Sequence, residues 1–227
     1  MTRAAFEREL KRLQDETLAL GSMVQRAITE AVDALMTRDL GASRRLVLED
    51  QAINEKRFAI EADTLVAIAT QQPMAGDLRG LAAILEIITE LERIGDYAKG
   101  ISRISLMLKE GRILKPLSEI RTMSEKALDM LSRALDAFVR KDVGLARSIP
   151  LEDDEVDALY NQLYQKLLNH IIEDQNLIDE ASQLLWVAHN LERAADRVTN
   201  ICERVVFTST GEMVEMDQEE GGPEGVH

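Results

Sequence analysis

The spacing of the apolar residues constrains this chain more than any other feature. From Phe6 onward, Leu10, Leu13, Thr17, Leu20, Val24, Ala27, Ala31 and Ala34 follow one another at alternating steps of four and three. Such positions form one stripe only on an α-helix, so the segment predicts a long helix with a single buried seam. It stops near Asp39-Leu40-Gly41. A second helix runs from about Ala42 to Thr70 and must end before Pro73, which disfavours helical backbone just ahead of it. The pattern predicts a third from Asp77 (its N-cap) to Glu110, closing at Gly111, and a fourth from about Pro116 to Arg140. A fifth follows Gly144 and continues to about Asp174, and a sixth covers Ile178 to Thr208, before Gly211. Helices of about 25–35 residues are some 40–50 Å long. Joined by short loops, they must pack antiparallel to bury their seams. The expectation is an all-α protein of six long helices. Aromatic residues make up only 4% of the 227, with 12 Gly and 4 Pro, which argues against a sandwich or barrel.

The six helices fall into two sets of three. Met23, Ala27, Ala34 and Leu35 recur as Met123, Ala127, Ala134 and Leu135. Asp39, Gly41 and Arg44 recur three residues late, at Asp142, Gly144 and Arg147, and Glu49-Asp50 maps onto Glu152-Asp153. By Leu91-Glu92-Arg93 and Asp96, matched by Leu191-Glu192-Arg193 and Asp196, the offset has returned to 100. The slip falls where a loop can absorb it. The chain therefore predicts two tandem, pseudo-repeated antiparallel three-helix bundles, residues 1–112 and 113–210. Residues 211–227 hold six acids, five Gly or Pro and no Lys or Arg, a composition expected to be a disordered acidic tail.

Charge and cysteine content remove several function classes. The formal charge is −14, which argues against nucleic acid or an anionic lipid surface as the main partner. A single Cys202 rules out a disulfide framework and a Cys-based zinc site. No apolar run reaches the roughly 18 residues of a membrane span, and the first residues lack a signal-peptide stretch, so a cytoplasmic location is expected. No phosphate loop, nucleotide motif or nucleophile–base constellation is present, and catalysis is not expected.

The chemistry lies in the carboxylates. LERIGD at 91–96 and LERAAD at 191–196 each place Glu and Asp one turn apart on a helix face, about 5–6 Å apart at Cβ. Glu192 and Asp196 lie one residue past the seam Leu184, Ala188, Leu191, Ala195, Val198, Cys202, and Glu203 shares their row. Glu92 and Asp96 repeat the arrangement in the third helix. The middle helices add Asp153, on a seam position, with Asp157 one turn on, and in the first repeat Asp50 with Asn54. A carboxylate on a seam must be paired or metal-bound. Oxygen ligands suit hard cations such as Mg, Mn, Ca or oxidised Fe. The candidate metal ligands are thus Glu92, Asp96, Asp50, Glu192, Asp196, Asp153, Asp157 and Glu203. Pairs of this kind are also common on solvated faces, bridged to a neighbouring Arg. A metal-free scaffold and a carboxylate-bridged metal oxidase or hydrolase, with His189 near Glu192, therefore stand as alternatives. His170, on the seam of the fifth helix, reads as a packed core histidine.

These residues carry a family resemblance. PMAGDLR (73–79), LERIGD (91–96), LERAAD (191–196), NICE (200–203) and the duplication near 100 residues together resemble the PhoU family, regulators of phosphate-specific transport, over residues 5–208. The resemblance implies two tandem three-helix bundles, a homodimer in the cytoplasm, and multinuclear iron or zinc clusters on the Glu/Asp motifs. It implies a negative regulator of phosphate uptake, an adaptor between the ATPase subunit of a phosphate ABC transporter and a sensor histidine kinase. Contact with the membrane would be only through those partners.

Overall fold

The computed structural model describes residues 3–108 and 117–216. Helices α1 (Arg3–Thr37), α2 (Leu40–Gln71) and α3 (Ala75–Met107) form the first bundle. Helices α4 (Leu117–Arg140), α5 (Val143–Ser148), α6 (Asp153–Glu173) and α7 (Ile178–Thr210) form the second, with single 3₁₀ turns at Pro150–Glu152 and Gln175–Leu177. The all-α, duplicated architecture stands. The predicted fifth helix is two helices. Pro150 lacks the N–H that would bond back to the preceding turn, and its ring clashes there, so the chain passes through a 3₁₀ turn. Helix α3 begins at Ala75 rather than Asp77, which sits in the first turn and complements the helix dipole there. Gly111 and Pro116 lie outside the described residues.

The turn after the first helix of each bundle is built twice. Arg38 and Lys141 both take left-handed backbone, with φ of 56° and 55°. Asp39 then accepts from the Ala42 N–H at 2.8 Å, and Asp142 from the Leu145 N–H at 2.9 Å. Each aspartate satisfies an N–H that the helix itself cannot pair. Burial keeps the same register further on: Ser43 and Ala146, Leu46 and Ile149, Ile53 and Val156, Ile60 and Leu163 are all buried. An offset of 103 therefore holds in space along the second helix of each unit.

The bundles lie side by side through their third helices. α3 and α7 make the most extensive contact of any helix pair, with α1 against α4 beside them. They run antiparallel. Arg79 lies at Gly211, Glu86 pairs with Arg204 at 2.9 Å, Arg193 donates to the Tyr97 hydroxyl at 3.2 Å, and Gly100 abuts Asn190. Ile84, Ile87, Ile88 and Leu91 of α3 and Leu184, Val187, Leu191 and Ala195 of α7 are buried, so one apolar core runs through both bundles. α2 and α6 stand on the outside.

Residues 211–216 are placed rather than disordered. The Met216 N–H donates to Glu203 at 2.9 Å, and Val214 and Met216 pack on the core. The expected disordered tail is corrected for these six residues; 217–227 lie outside the described residues.

Candidate functional site

In the first bundle the third turn of α2 presents Asp50 to the C-terminal half of α3. Its backbone neighbours are apolar, Leu46 and Ile53, so the carboxylate is carried inward and is 6% exposed. One oxygen, Oδ2, accepts from Lys99 Nζ at 2.6 Å and from Asn54 Nδ2 at 3.1 Å. Lys99 also stands 3.5 Å from Asp96 Oδ1. Asp50 and Asp96 together hold the Lys99 ammonium above its usual range, the hydrogen bond to Asp50 being the largest cause. Glu92, half-buried one turn before Asp96, is raised by desolvation first and then by Asp96, while Arg57 acts against the rise. Beside this group a cavity of about 210 Å³ opens between α1, α2 and α3, walled by Met23, Ala27, Leu46 and Gly95 with Asp50 and Lys99 at its edge.

The second bundle has the same acids without the ammonium. Thr199 stands where the first has Lys99, and its hydroxyl donates to the Asp196 carbonyl at 2.5 Å. Glu192 is pushed up to about 7 by desolvation, then by the charges of Asp196 and Asp157, with Arg193 opposing them. Its Oε2 is buried and accepts no hydrogen bond, although His189 Nδ1 lies 3.2 Å away. Asp157 is raised by burial and by Asp154. Asp153 begins α6 and is half-buried.

Two expectations from sequence change here. Glu203 is buried, but its carboxylate faces the Met216 N–H and Arg204. It lies about 16 Å along α7 from Glu192, so it anchors the C-terminal segment instead of completing the acid cluster. His170 is not a core residue: it is 40% exposed in the last turn of α6, 3.8 Å from Glu173. The seam places position 170 correctly on the helix, but α6 ends three residues later, at Glu173. Sequence reading also missed Tyr97, whose hydroxyl takes both Arg193 at 3.2 Å and Arg197 at 3.3 Å. The Arg of LERAAD therefore serves the seam between bundles. Its counterpart Arg93 pairs with Glu90, one turn earlier on its own helix.

The donors suit a metal ion unequally. Asp50 already holds an ammonium, so a metal ion approaching it would meet that positive charge. The second cluster offers carboxylate oxygens, one of them buried without a hydrogen bond and 3.2 Å from His189 Nδ1, and no Lys, a donor set that fits a metal cation in chemistry. Among the described residues, no three His, Cys, Asp or Glu side chains converge into a group able to hold a metal ion. Cys202 is buried, and desolvation pushes its thiol up to about 12, so it offers no thiolate. No helix among the described residues is long and apolar enough to cross a membrane.

A family model described as the PhoU domain matches residues 17–105 and again 120–205, one stretch in each bundle. The chain is 34% identical over 218 residues, 96% of its own length and 100% of the relative's, to a phosphate-specific transport system accessory protein PhoU homolog of Clostridium acetobutylicum. It is 33% identical to the corresponding homolog of Streptococcus pneumoniae serotype 4, over 95% of this chain and 100% of that one. Among solved structures, the phosphate transport system regulatory protein PhoU from Streptococcus pneumoniae superimposes with a TM-score of 0.87 at 33% identity. That match covers 92% of this chain and 99% of the other. PhoU from Pseudomonas aeruginosa gives 0.86 at 32% identity, covering 91% and 100%.

Proposed function

The chain belongs to the PhoU family, and from that premise we propose that it is a cytoplasmic regulator of phosphate uptake that acts by docking and not by turnover. It joins the ATPase subunit of a phosphate ABC transporter to a membrane sensor histidine kinase. When phosphate is plentiful it keeps the kinase repressing and restrains uptake. The observation that carries this reading is the likeness of the whole two-bundle slab to a phosphate transport system regulatory protein, across nearly the full length of both chains. The physics suits the role. Long helices around one continuous core present fixed faces at both outer sides, and the −14 charge disfavours nucleic acid. The protein works as a homodimer, as the family resemblance implies.

Metal enters this reading as a structural or sensing element. Glu192, Asp196, Asp157 and Asp153 would hold an iron, zinc, manganese or magnesium ion, which would add positive charge where these acids gather. Glu92, Asp96 and Asp50 occupy the equivalent positions in the first bundle, where Lys99 already stands against Asp50 and Asp96. The test is a crosslinked pull-down of the tagged protein from phosphate-replete cells, with mass spectrometry of the captured proteins and elemental analysis of the bait. Recovery of a phosphate-transporter ATPase and a sensor kinase is the expected result. Metal at about one equivalent or more, lowered in Asp196→Asn, is expected beside it. Capture of neither partner, together with redox or phosphatase turnover that Glu192→Ala abolishes, would replace the regulator with a carboxylate-bridged metal enzyme.

A further inference from the structure

The two acid clusters descend from one repeated unit but differ in charge in a consistent direction. At the offset of 103 that burial supports in the second helix of each unit, Asn54 faces the place of Asp157, and Arg57 that of Tyr160. At the offset of 100 in the third helix, Lys99 corresponds to Thr199 and Arg103 to Glu203. Each difference makes the first unit more positive than the second, and the first three bear on the acid clusters, Glu203 lying about 16 Å along α7 from Glu192. Two of these groups act directly on the acids. Lys99 Nζ lies 2.6 Å from Asp50 and 3.5 Å from Asp96, and Asn54 Nδ2 donates to the same Asp50 oxygen.

We infer that Lys99 is the resident cation of the first cluster, so that this bundle holds its acids together without a metal ion and any metal the chain takes up goes to the second bundle. A buried carboxylate such as Asp50 requires a counter-charge, and here the chain provides it covalently. An ammonium at hydrogen-bond distance from the ligand oxygen repels a divalent ion across only a few ångströms of half-buried protein. It also occupies Oδ2, the oxygen of Asp50 that Asn54 shares. The second cluster has a hydroxyl at that position, and a hydroxyl neither neutralises nor repels. The assignment to the second bundle rests on the metal reading proposed above; the closure of the first by Lys99 does not.

The test uses the full chain, stripped with chelator and titrated with Mn²⁺, with free ion followed by electron paramagnetic resonance and thermal stability measured in parallel. In the wild type, Asp196→Asn is expected to weaken Mn²⁺ binding at least tenfold, whereas Asp96→Asn changes it less than twofold. Lys99→Met keeps the apolar stem and removes the charge. It is expected to gain a further Mn²⁺ site that Asp96→Asn then removes, and to be stabilised by Mn²⁺ more than the wild type is. Lys99→Thr, which copies the second bundle, should do the same, and Lys99→Arg should gain nothing. Loss of wild-type binding in Asp96→Asn, or no gained site in folded Lys99→Met and Lys99→Thr, overturns the inference. A wild type that binds no Mn²⁺ while Lys99→Met does would sink the metal reading of the second bundle and uphold the role of Lys99.

Discussion

At Glu192 a partly desolvated carboxyl faces Asp196 and Asp157 and is pushed up to about 7. In the unfolded chain the same group ionises near the ordinary carboxylate value. Without metal the folded state therefore binds a proton more tightly than the unfolded state. Stability should fall as pH rises from about 4.5 to about 7, with the full penalty present above that window and none below it. Glu192→Gln removes the titration. Urea denaturation with chelator present should find the variant more stable than wild type by about 1–2 kcal/mol at pH 8, allowing for solvent screening. Near pH 4 the two should agree. An equal gap at both pH values would mean that packing, not charge, separates them. Glu92, Asp96, Glu192 and Asp196 were legible as candidates because two motifs at one offset are hard to obtain by chance. The pairing of Asp50 with Lys99 was not, because 49 residues separate them and only the α2–α3 packing decides which side chains meet.

At the scale of the element, local chemistry explains most boundaries. The seam spacing locates the long helices, and Asp39 and Asp142 close the exposed N–H groups at the start of α2 and α5. Asp39→Ala and Asp142→Ala should each cost about 0.5–2 kcal/mol, read as a lower denaturation midpoint with an unchanged slope. A similar loss in a control such as Glu49→Ala, which caps nothing, would show that the caps are not the cause. Pro150 was visible in the sequence but was outweighed by the run of seam positions on either side of it. The 3₁₀ turn there lets Ile149 and Val156 both stay buried while the backbone passes the missing hydrogen bond. Pattern alone reads such a compensated break as a continuous helix. The end of α6 is a similar case, since His170 falls in its last turn, where the seam pattern alone does not fix burial.

Across the whole molecule, the two bundles share one core through α3 and α7, with Tyr97, Arg193, Arg197 and Glu90 at its polar edge. They should therefore unfold together. The chain has one tryptophan, Trp186 in the second bundle, so its fluorescence reports that bundle while far-ultraviolet circular dichroism reports both. The two transitions are expected to coincide in urea. Tyr97→Ala leaves two half-buried guanidinium groups without their shared acceptor. It should lower stability by about 1–3 kcal/mol and begin to separate the two transitions. Transitions already separate in the wild type would show that the seam does not couple the bundles.

The amino-acid sequence by itself determined the helices, the duplication and the acid motifs, because each depends on spacing within one helix or on a turn residue acting on its nearest neighbours. The tertiary structure alone decided that Lys99 meets Asp50, that Glu203 holds the chain after α7, and that Arg193 donates to Tyr97 of the other bundle. Those outcomes depend on which helices lie side by side and on how far each has slid along its neighbour. A shift of one turn would exchange every cross-helix partner while leaving the buried seams intact.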